Sequence, residues 1–242
     1  MPRKTKARSA GRARGRGFVR NRILAAFLLA GLVGGAWAWW YLHHWVPTRA
    51  QFGVQGVEIG AADGTVSFAS LKAIGADFAY VDASVSAFAR DPMFVANFEQ
   101  ARAAKLQVGA VHRYDPCQPA DRQAANFVTT VPRDPALLPP AVELDMLADT
   151  CPVKVTDAKV ESELMTFLNQ VETHTGKPTV LKITKAFEAR YGIARKLDRN
   201  LWLVEDRMQP DYAGRPWTLW TANTALANEV SNTGLRWVVV QP

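Results

Sequence analysis

The segment Leu138-Pro139-Pro140-Ala141-Val142-Glu143-Leu144-Asp145-Met146 reads as a short apolar strand that ends in two carboxylates. Side chains two positions apart on a strand point to the same face, and their bases lie about 6 to 7 Å apart. Glu143 and Asp145 are therefore spaced to flank one reactive bond, as the paired carboxyl groups of glycoside-hydrolysing enzymes do. A strand end whose two acids simply face water is the alternative explanation.

Apolar runs of strand length alternate with helical patterns on both sides of this segment. Strands are predicted at residues 52–59, 78–83, 106–112, 141–145, 179–184, 201–205, 217–221 and 235–241. Helices are predicted at residues 67–74, 92–104, 119–130 and 158–175. This succession of units predicts an irregular α/β barrel, whose active site would lie at the C-terminal ends of the strands.

Polar side chains recur at the predicted ends of these strands. They are Glu58, Asp82, His112, Glu143, Asp145 and Glu205. In a barrel such positions meet at one mouth. Their convergence, more than any one of them, predicts the site.

The N-terminal region differs sharply from the rest of the chain. Its first 22 residues carry nine of the 29 Lys and Arg residues, and no acidic residue occurs before Glu58. The other 20 basic residues nearly balance the 22 acidic ones, so no broad basic surface for nucleic acid is expected. Residues 23–42 are uncharged and mostly apolar, and a helix of about 20 such residues spans a bilayer.

The positive charge before the apolar segment predicts its orientation in the inner or plasma membrane. Residues 1–22 would form a basic cytoplasmic tail and residues 23–42 a single-pass transmembrane signal-anchor. Residues 43–51 would be a linker, and residues 52–242 a barrel on the periplasmic or extracellular side. Ala36-Trp37-Ala38 resembles a cleavage site, so a removable signal peptide is the alternative to an anchor. Gly31 and Gly35 have the spacing of a close helix contact, which permits a homodimer without otherwise supporting one.

Cys117 and Cys151 are the only two cysteines in the chain. In an exported domain they are expected to form a disulfide. Closing a loop of about 34 residues would stabilise the fold by roughly 3 to 4 kcal/mol. Neither cysteine has a second ligand at the spacing of a zinc site, and no phosphate-binding glycine loop or metal-spaced histidine cluster occurs, so no metal and no cofactor is expected.

From about residue 55 to residue 220 the chain resembles glycoside hydrolase family 25, the muramidases with a flattened β/α barrel. The resemblance is carried by Gln55-Gly56-Val57-Glu58-Ile59, Ala79-Tyr80-Val81, Asp91-Pro92-Met93-Phe94, Val108-Gly109-Ala110-Val111-His112, Gln123-Ala124-Ala125-Asn126-Phe127, Val131-Pro132-Arg133-Asp134, Leu138-Pro139-Pro140 and Trp217-Thr218-Leu219-Trp220. Their order and spacing match the successive strands and helices of the family.

The resemblance implies that Glu143, Asp145 and Glu58 stand at catalytic positions. In the family the catalytic strand ends in Asp-x-Glu with the Glu as the acid, whereas here the order is reversed. Asp145 as the acid would reach one methylene less far. Asp82 stands where the family often has a lysine. Leu235-Arg236-Trp237 stands in place of the family's usual Asp-x-Asn element, which would remove a carboxylate from the mouth of the barrel.

These features predict a membrane-anchored, lysozyme-like glycoside hydrolase that acts on the glycan strands of peptidoglycan. Asp145 would donate the proton. Glu143 would stay ionised and either stabilise the cationic transition state or orient an acetamido group that attacks internally, and Glu58 and His112 would tune the pair and the substrate pose. His112 and Asp82 would bind substrate, and four aromatic residues would stack on sugar faces: Tyr80, Tyr114, Trp202 and Trp220. Burial in the core is the alternative for these aromatic residues. The alternative function is a catalytically inactive barrel that binds peptidoglycan as an envelope-anchored binding or scaffold module.

Overall fold

The computed structural model describes residues 14–231 and 233–242, with side chains from Arg20 onward. Contacts divide the chain into two units, of which the first ends at His44 and the second spans Trp45–Pro242. Residues 1–13 of the predicted basic tail lie outside the described residues.

The first unit contains one long helix, α1 (Arg14–His44). Its stretch Arg20–His44 is long and apolar enough to cross a membrane, with a mean hydropathy of 1.8 in its most apolar window. Its apolar side chains are exposed, as Phe27 at 72% exposure illustrates. Length and composition make α1 a candidate membrane segment, and the predicted orientation and homodimer stay predictions.

Within the described residues, the second unit is a closed barrel of eight strands surrounded by helices. The barrel strands are β1 (Gln55–Ile59), β2 (Phe78–Val85), β4 (Gln107–Arg113), β5 (Ala141–Leu144), β6 (Val180–Ile183), β7 (Asn200–Val204), β8 (Leu219–Leu226) and β9 (Leu235–Val240), and the short β3 (Ala89–Arg90) extends β2 as a hairpin. Neighbours run parallel from β1 to β8, whereas β9 is antiparallel to both β8 and β1 and closes the barrel. The predicted α/β barrel is confirmed, with its last strand reversed.

Six helices lie in the second unit as it is described. They are α2 (Phe68–Ala73), α3 (Phe94–Ala103), α4 (Ala120–Thr130), α5 (Asp157–Thr175), α6 (Lys185–Tyr191) and α7 (Ile193–Lys196). The first four match the predicted helices closely. The start of α5 is capped by the Thr156 side chain, which accepts a hydrogen bond from the Lys159 amide, and its end is the left-handed Gly176 at φ +71°. The prediction missed α6 and α7, because a helix of one or two turns is too short to show a helical period.

Alternate side chains of each strand point into the barrel or outward to the helices. An inner apolar cluster that includes Phe78, Tyr80 and Trp202 fills the barrel interior. Gly109 leaves room for Tyr80, because a β-carbon at this glycine would lie 2.3 Å from the tyrosine ring. Outward-facing residues such as Val142 pack with the helices in the main core. The interior is therefore solid, and the strand ends above the apolar cluster are left for polar groups.

The predicted disulfide is present between Cys117, which follows β4, and Cys151, which follows β5. Both loops leave the C-terminal ends of parallel strands. The bridge therefore ties together two loops on the side of the barrel where the polar strand ends meet.

Candidate functional site

Six strands place a charged side chain at the same end of the barrel. These residues are Glu58 of β1, Asp82 of β2, Arg113 of β4, Glu143 of β5, Lys182 of β6 and Arg236 of β9. In the parallel strands they lie toward the C-terminal end. Arg236 reaches the same level because β9 runs in the opposite direction, which sets it beside Glu58 in the strand pairing.

Lys182 joins two of the carboxylates below the surface. Its Nζ donates to both oxygens of Glu58, at 2.5 and 2.7 Å, and to Oε1 of Glu143 at 2.7 Å. The Lys182 side chain is 4% exposed and that of Glu58 is fully buried. Burial opposes ionisation of Glu58, but the charges of Arg236 and Lys182 outweigh it and hold the pKa of this carboxyl below its usual value.

Arg236 connects Glu58 to two further acids, Asp63 and Asp82. Its guanidinium lies 3.2 Å from Glu58, 2.9 Å from Asp63 and 3.0 Å from Asp82. Asp63, in a single helical turn after β1, also accepts a hydrogen bond from the Gly60 amide at 2.7 Å. The arginine therefore holds the ends of β1 and β2 against β9.

Arg113 lies beside both carboxylates of the predicted pair, Asp145 and Glu143. Its Nε donates to both oxygens of Asp145 at 3.0 Å, and its Nη2 donates to Oδ2 as well. The same guanidinium lies 4.0 Å from Glu143. Glu143 and Asp145 thus share one end of β5, each with its own cation.

A cavity of about 280 Å³ opens beside these groups. We call it the cleft; it is lined by Asp82, Ser84, Val85, Arg90, Asp91, Pro92, Val111, Arg113 and Glu143. The structure therefore brings Asp82 and Glu143 to one cleft and places Asp145 beside it, on Arg113. Glu58 does not line the cleft, but Lys182 links it to Glu143 and Arg236 links it to Asp82, two residues that do.

The surroundings of Asp82 favour its protonated form. Burial, together with the neighbouring negative charge of Glu58, raises the pKa of Asp82 to about 7. Arg236 opposes this shift without cancelling it. Near neutral pH Asp82 is therefore divided between its acid and carboxylate forms.

The structure places His112 away from the cleft. Its ring is fully buried between β4 and the helices, where it stacks on Phe167 at 4.7 Å between ring centroids. Its Nδ1 lies 2.8 Å from Ser84 Oγ and its Nε2 lies 3.3 Å from Gln123 Oε1. Burial lowers the pKa of His112 to about 4, which keeps the ring neutral at physiological pH.

The four aromatic residues proposed to stack on sugars are all buried. Tyr80 and Trp202 lie in the inner apolar cluster, and Tyr114 and Trp220 lie in the main core between strands and helices. Trp202 forms a floor for the charged layer, since Lys182 Nζ lies 5.2 Å from its ring centroid. None of these rings lines the cleft.

Sequence reasoning missed two of the three cations that organise the acids, Lys182 and Arg113. Phe88, at the tip of the hairpin of β2 and β3, is 76% exposed, and Val85 and Arg90 of the same hairpin line the cleft. Asn126 of α4 fixes this hairpin by donating its Nδ2 to the carbonyls of Ser86 and Ala89, at 3.1 and 2.8 Å. A signal for Lys182 was available, because a lysine within an otherwise apolar predicted strand requires a partner.

Comparisons with known proteins identify the family that the sequence resembles. A family model described as glycosyl hydrolases family 25 matches residues 57–225. Among solved structures, a family 25 glycosyl hydrolase from Bacillus anthracis is 23% identical, with a TM-score of 0.74 over 82% of this chain and 92% of that chain. A bacterial lysozyme from Streptomyces coelicolor is 20% identical, with a TM-score of 0.69 over 78% of this chain and 92% of that chain. A family GH25 lysozyme from Aspergillus fumigatus is also 20% identical, with a TM-score of 0.66 over 78% and 94% of the two chains. A comparison with curated proteins found no significant match.

Proposed function

Since the chain belongs to glycosyl hydrolases family 25, we propose that it hydrolyses the glycan strands of peptidoglycan at the cleft beside Glu143. The observation that carries the proposal is the presence of two carboxyl groups, from β2 and β5, on the wall of one open cavity at the C-terminal ends of the barrel strands. This is the end at which barrel enzymes hold their active sites.

Glycoside hydrolysis needs a negative charge facing the cationic transition state. Glu143 is suited to this role because it lines the cleft and is 19% exposed, so it can contact a sugar. Lys182 holds one of its oxygens at 2.7 Å and fixes the direction of the carboxylate. Glu58, fully buried on the other side of Lys182, acts as a positioning residue for this arrangement.

The reaction also needs a proton for the leaving oxygen. Asp145 holds the sequence position of the donor. In the structure Arg113 donates to both of its oxygens, so Asp145 would have to leave this ion pair and gain a proton before it could act.

A second candidate function is glycan binding without hydrolysis. It is favoured by one observation: both acids of the sequence pair already hold a cation, Glu143 through Lys182 and Asp145 through Arg113. In that case the cleft would bind sugar with its acids serving only as hydrogen-bond acceptors.

Release of new reducing ends from purified peptidoglycan separates these functions. The full chain in detergent should produce them, and Glu143→Gln should reduce the rate by about 100-fold or more, as loss of one group that stabilises transition-state charge does. Glu161→Gln is the matched control, because Glu161 lies on the outer surface of α5, paired with Lys196 at 2.9 Å. A folded parent that retains peptidoglycan in a pull-down and releases no reducing ends would identify the binding function.

We further propose that α1 anchors the barrel on the periplasmic or outer side of a membrane. The basic residues that precede the apolar stretch support this orientation, and a disulfide suits an oxidising compartment. The full-length chain should remain in the membrane fraction after a high-salt wash, with its barrel open to protease added from outside. A soluble product that begins after residue 38 would identify a cleaved signal peptide instead.

A further inference from the structure

The hydrogen bonds of Asp82 are uneven between its two oxygens. Oδ2 accepts a hydrogen bond from Arg236 Nη2 at 3.0 Å. Oδ1 is buried and accepts none from any described residue. A carboxylate in this position would leave a buried acceptor unsatisfied, which costs about 1 to 3 kcal/mol. The acid form avoids that cost, because its hydroxyl can donate to the Glu58 carboxylate beside it.

The charges around Asp82 favour the same form. Carboxylates face it from β1, from the turn after β1 and from β5, and cations face it from β9, β6 and β4: Glu58, Asp63, Glu143, Arg236, Lys182 and Arg113. Arg113 is engaged by Asp145. Its guanidinium also lies 4.0 Å from Glu143, so three cations face five acids: Glu58, Asp63, Glu143, Asp145 and Asp82 itself. A proton on one acid relieves this excess of negative charge.

The chain makes room for Asp82 at this spot. A β-carbon added at Gly60 would lie 2.1 Å from Asp82 Oδ2, so glycine is needed where the ends of β1 and β2 meet. The Asp82 side chain is 28% exposed, and its residue shares the cleft wall with Glu143. Asp82 is thus buried enough to retain a proton and open enough to contact a ligand.

Resting on the proposed function, we infer that Asp82 is the proton donor of the cleft and Glu143 its ionic partner. When substrate binds, the Asp82 carboxyl turns about its Cβ–Cγ bond and brings its O–H from Glu58 to the cleft. The O–H bond breaks as its proton passes to the glycosidic oxygen. The bond between that oxygen and the sugar carbon breaks, and both bonding electrons go to the oxygen, so the leaving sugar departs with a hydroxyl group. Water then adds to the sugar carbon, and the proton it releases returns to Asp82. Glu58 and Arg236 are positioning residues for this acid.

A comparison of two substrates tests this role. Peptidoglycan has a poor leaving group that needs a proton, whereas an aryl glycoside of the same amino sugars, with dinitrophenolate as the leaving group, does not. Asp82→Asn in the full chain should lower kcat on peptidoglycan by about 100-fold or more and leave the aryl glycoside within a few-fold of the parent. Asp82→Glu should restore part of the lost rate. Asp134→Asn is the matched control, because Asp134 pairs with Arg102 at 2.8 Å away from the cleft.

The pH profile adds a second readout. The parent rate on peptidoglycan should fall on the alkaline side with an apparent pKa near that of Asp82, about 7, and this limb should vanish in Asp82→Asn. Equal losses on both substrates would show that Asp82 has only a structural role and would overturn the inference. An active parent that loses its rate in Asp145→Asn but not in Asp82→Asn would assign the donor to Asp145. A parent that cleaves neither substrate would overturn the proposed function, and this role with it.

Discussion

Replacing Lys182 with methionine should destabilise the barrel by about 3 to 5 kcal/mol, the cost of breaking a buried ion pair from one side. The lysine makes three hydrogen bonds, two to Glu58 and one to Glu143, and its side chain is 4% exposed. Solvent therefore screens the pair very little. Methionine fills a similar volume, so the loss of stability measures the effect of removing the charge and not the effect of a cavity.

The remaining cation, Arg236, determines where in this range the loss of unfolding free energy falls. Arg236 stays 3.2 Å from Glu58 in the variant, so Glu58 keeps one of its two charged partners. The lower half of the range is expected. For a chain of this size, 1 kcal/mol corresponds to a shift in Tm of about 2 to 4 °C, so Tm should fall by roughly 6 to 15 °C.

Thermal unfolding followed by circular dichroism measures this shift. Lys159→Met serves as the control, because Lys159 pairs with Glu163 on the surface of α5 with 60% of its side chain exposed, and such pairs contribute less than about 1 kcal/mol. Adding Glu58→Gln to Lys182→Met should recover part of the loss, since it removes the stranded charge. A Lys182→Met variant whose unfolding free energy stays within about 1 kcal/mol of the parent would refute the buried network.

Three further predictions concern His112, the disulfide and Phe88. Burial lowers the pKa of His112 to about 4, against about 6.5 in the unfolded chain. Its neutral form therefore stabilises the fold above pH 6.5, and that stabilisation is lost as the pH falls toward 4. In chemical denaturation at several pH values, the unfolding free energy of His112→Gln should depend less steeply on pH than that of the parent. Replacing Cys117 and Cys151 together with serine should lower the unfolding free energy by roughly 3 to 4 kcal/mol in urea melts, and an unchanged midpoint would mean that the bridge constrains nothing. Phe88→Ala should weaken binding of peptidoglycan fragments several-fold in calorimetry, because the ring can stack on a sugar. The Tm should not change, because the ring is 76% exposed. Equal affinity would show that Phe88 does not contact the glycan.

Strand positions could be predicted because each strand is a short apolar run between clear turn residues. The charged strand ends were predictable for the same reason: Glu58, Asp82 and Glu143 lie where parallel strands finish. It was harder to predict which side chains of a buried strand point into the barrel and which point outward to the helices. In β4 both faces are covered, so Val108 and Ala110 outside and Val111 inside look alike in the sequence. His112 shares the outward face, and its strand-end position did not reveal this.

The ion pairs depend on closure of the barrel, which local patterns do not encode. Lys182 and Glu58 are 124 residues apart in the chain and meet because β6 and β1 lie across the same interior. Arg236 meets Glu58 because β9 reverses direction. The pairing of Asp145 with Arg113 likewise arises between neighbouring strands that are distant in sequence. Glu58, Asp82 and Glu143 could thus be predicted individually, whereas the ion pairs that set their chemistry could not.

The most direct test of the account is the rate at which the full chain releases reducing ends from purified peptidoglycan, measured beside Glu143→Gln. We expect turnover by the parent and a loss of about 100-fold or more in the variant, with the Tm of both proteins within a few degrees. Turnover that survives in Glu143→Gln, or a folded parent that releases no reducing ends at any pH between 4 and 8, would contradict it.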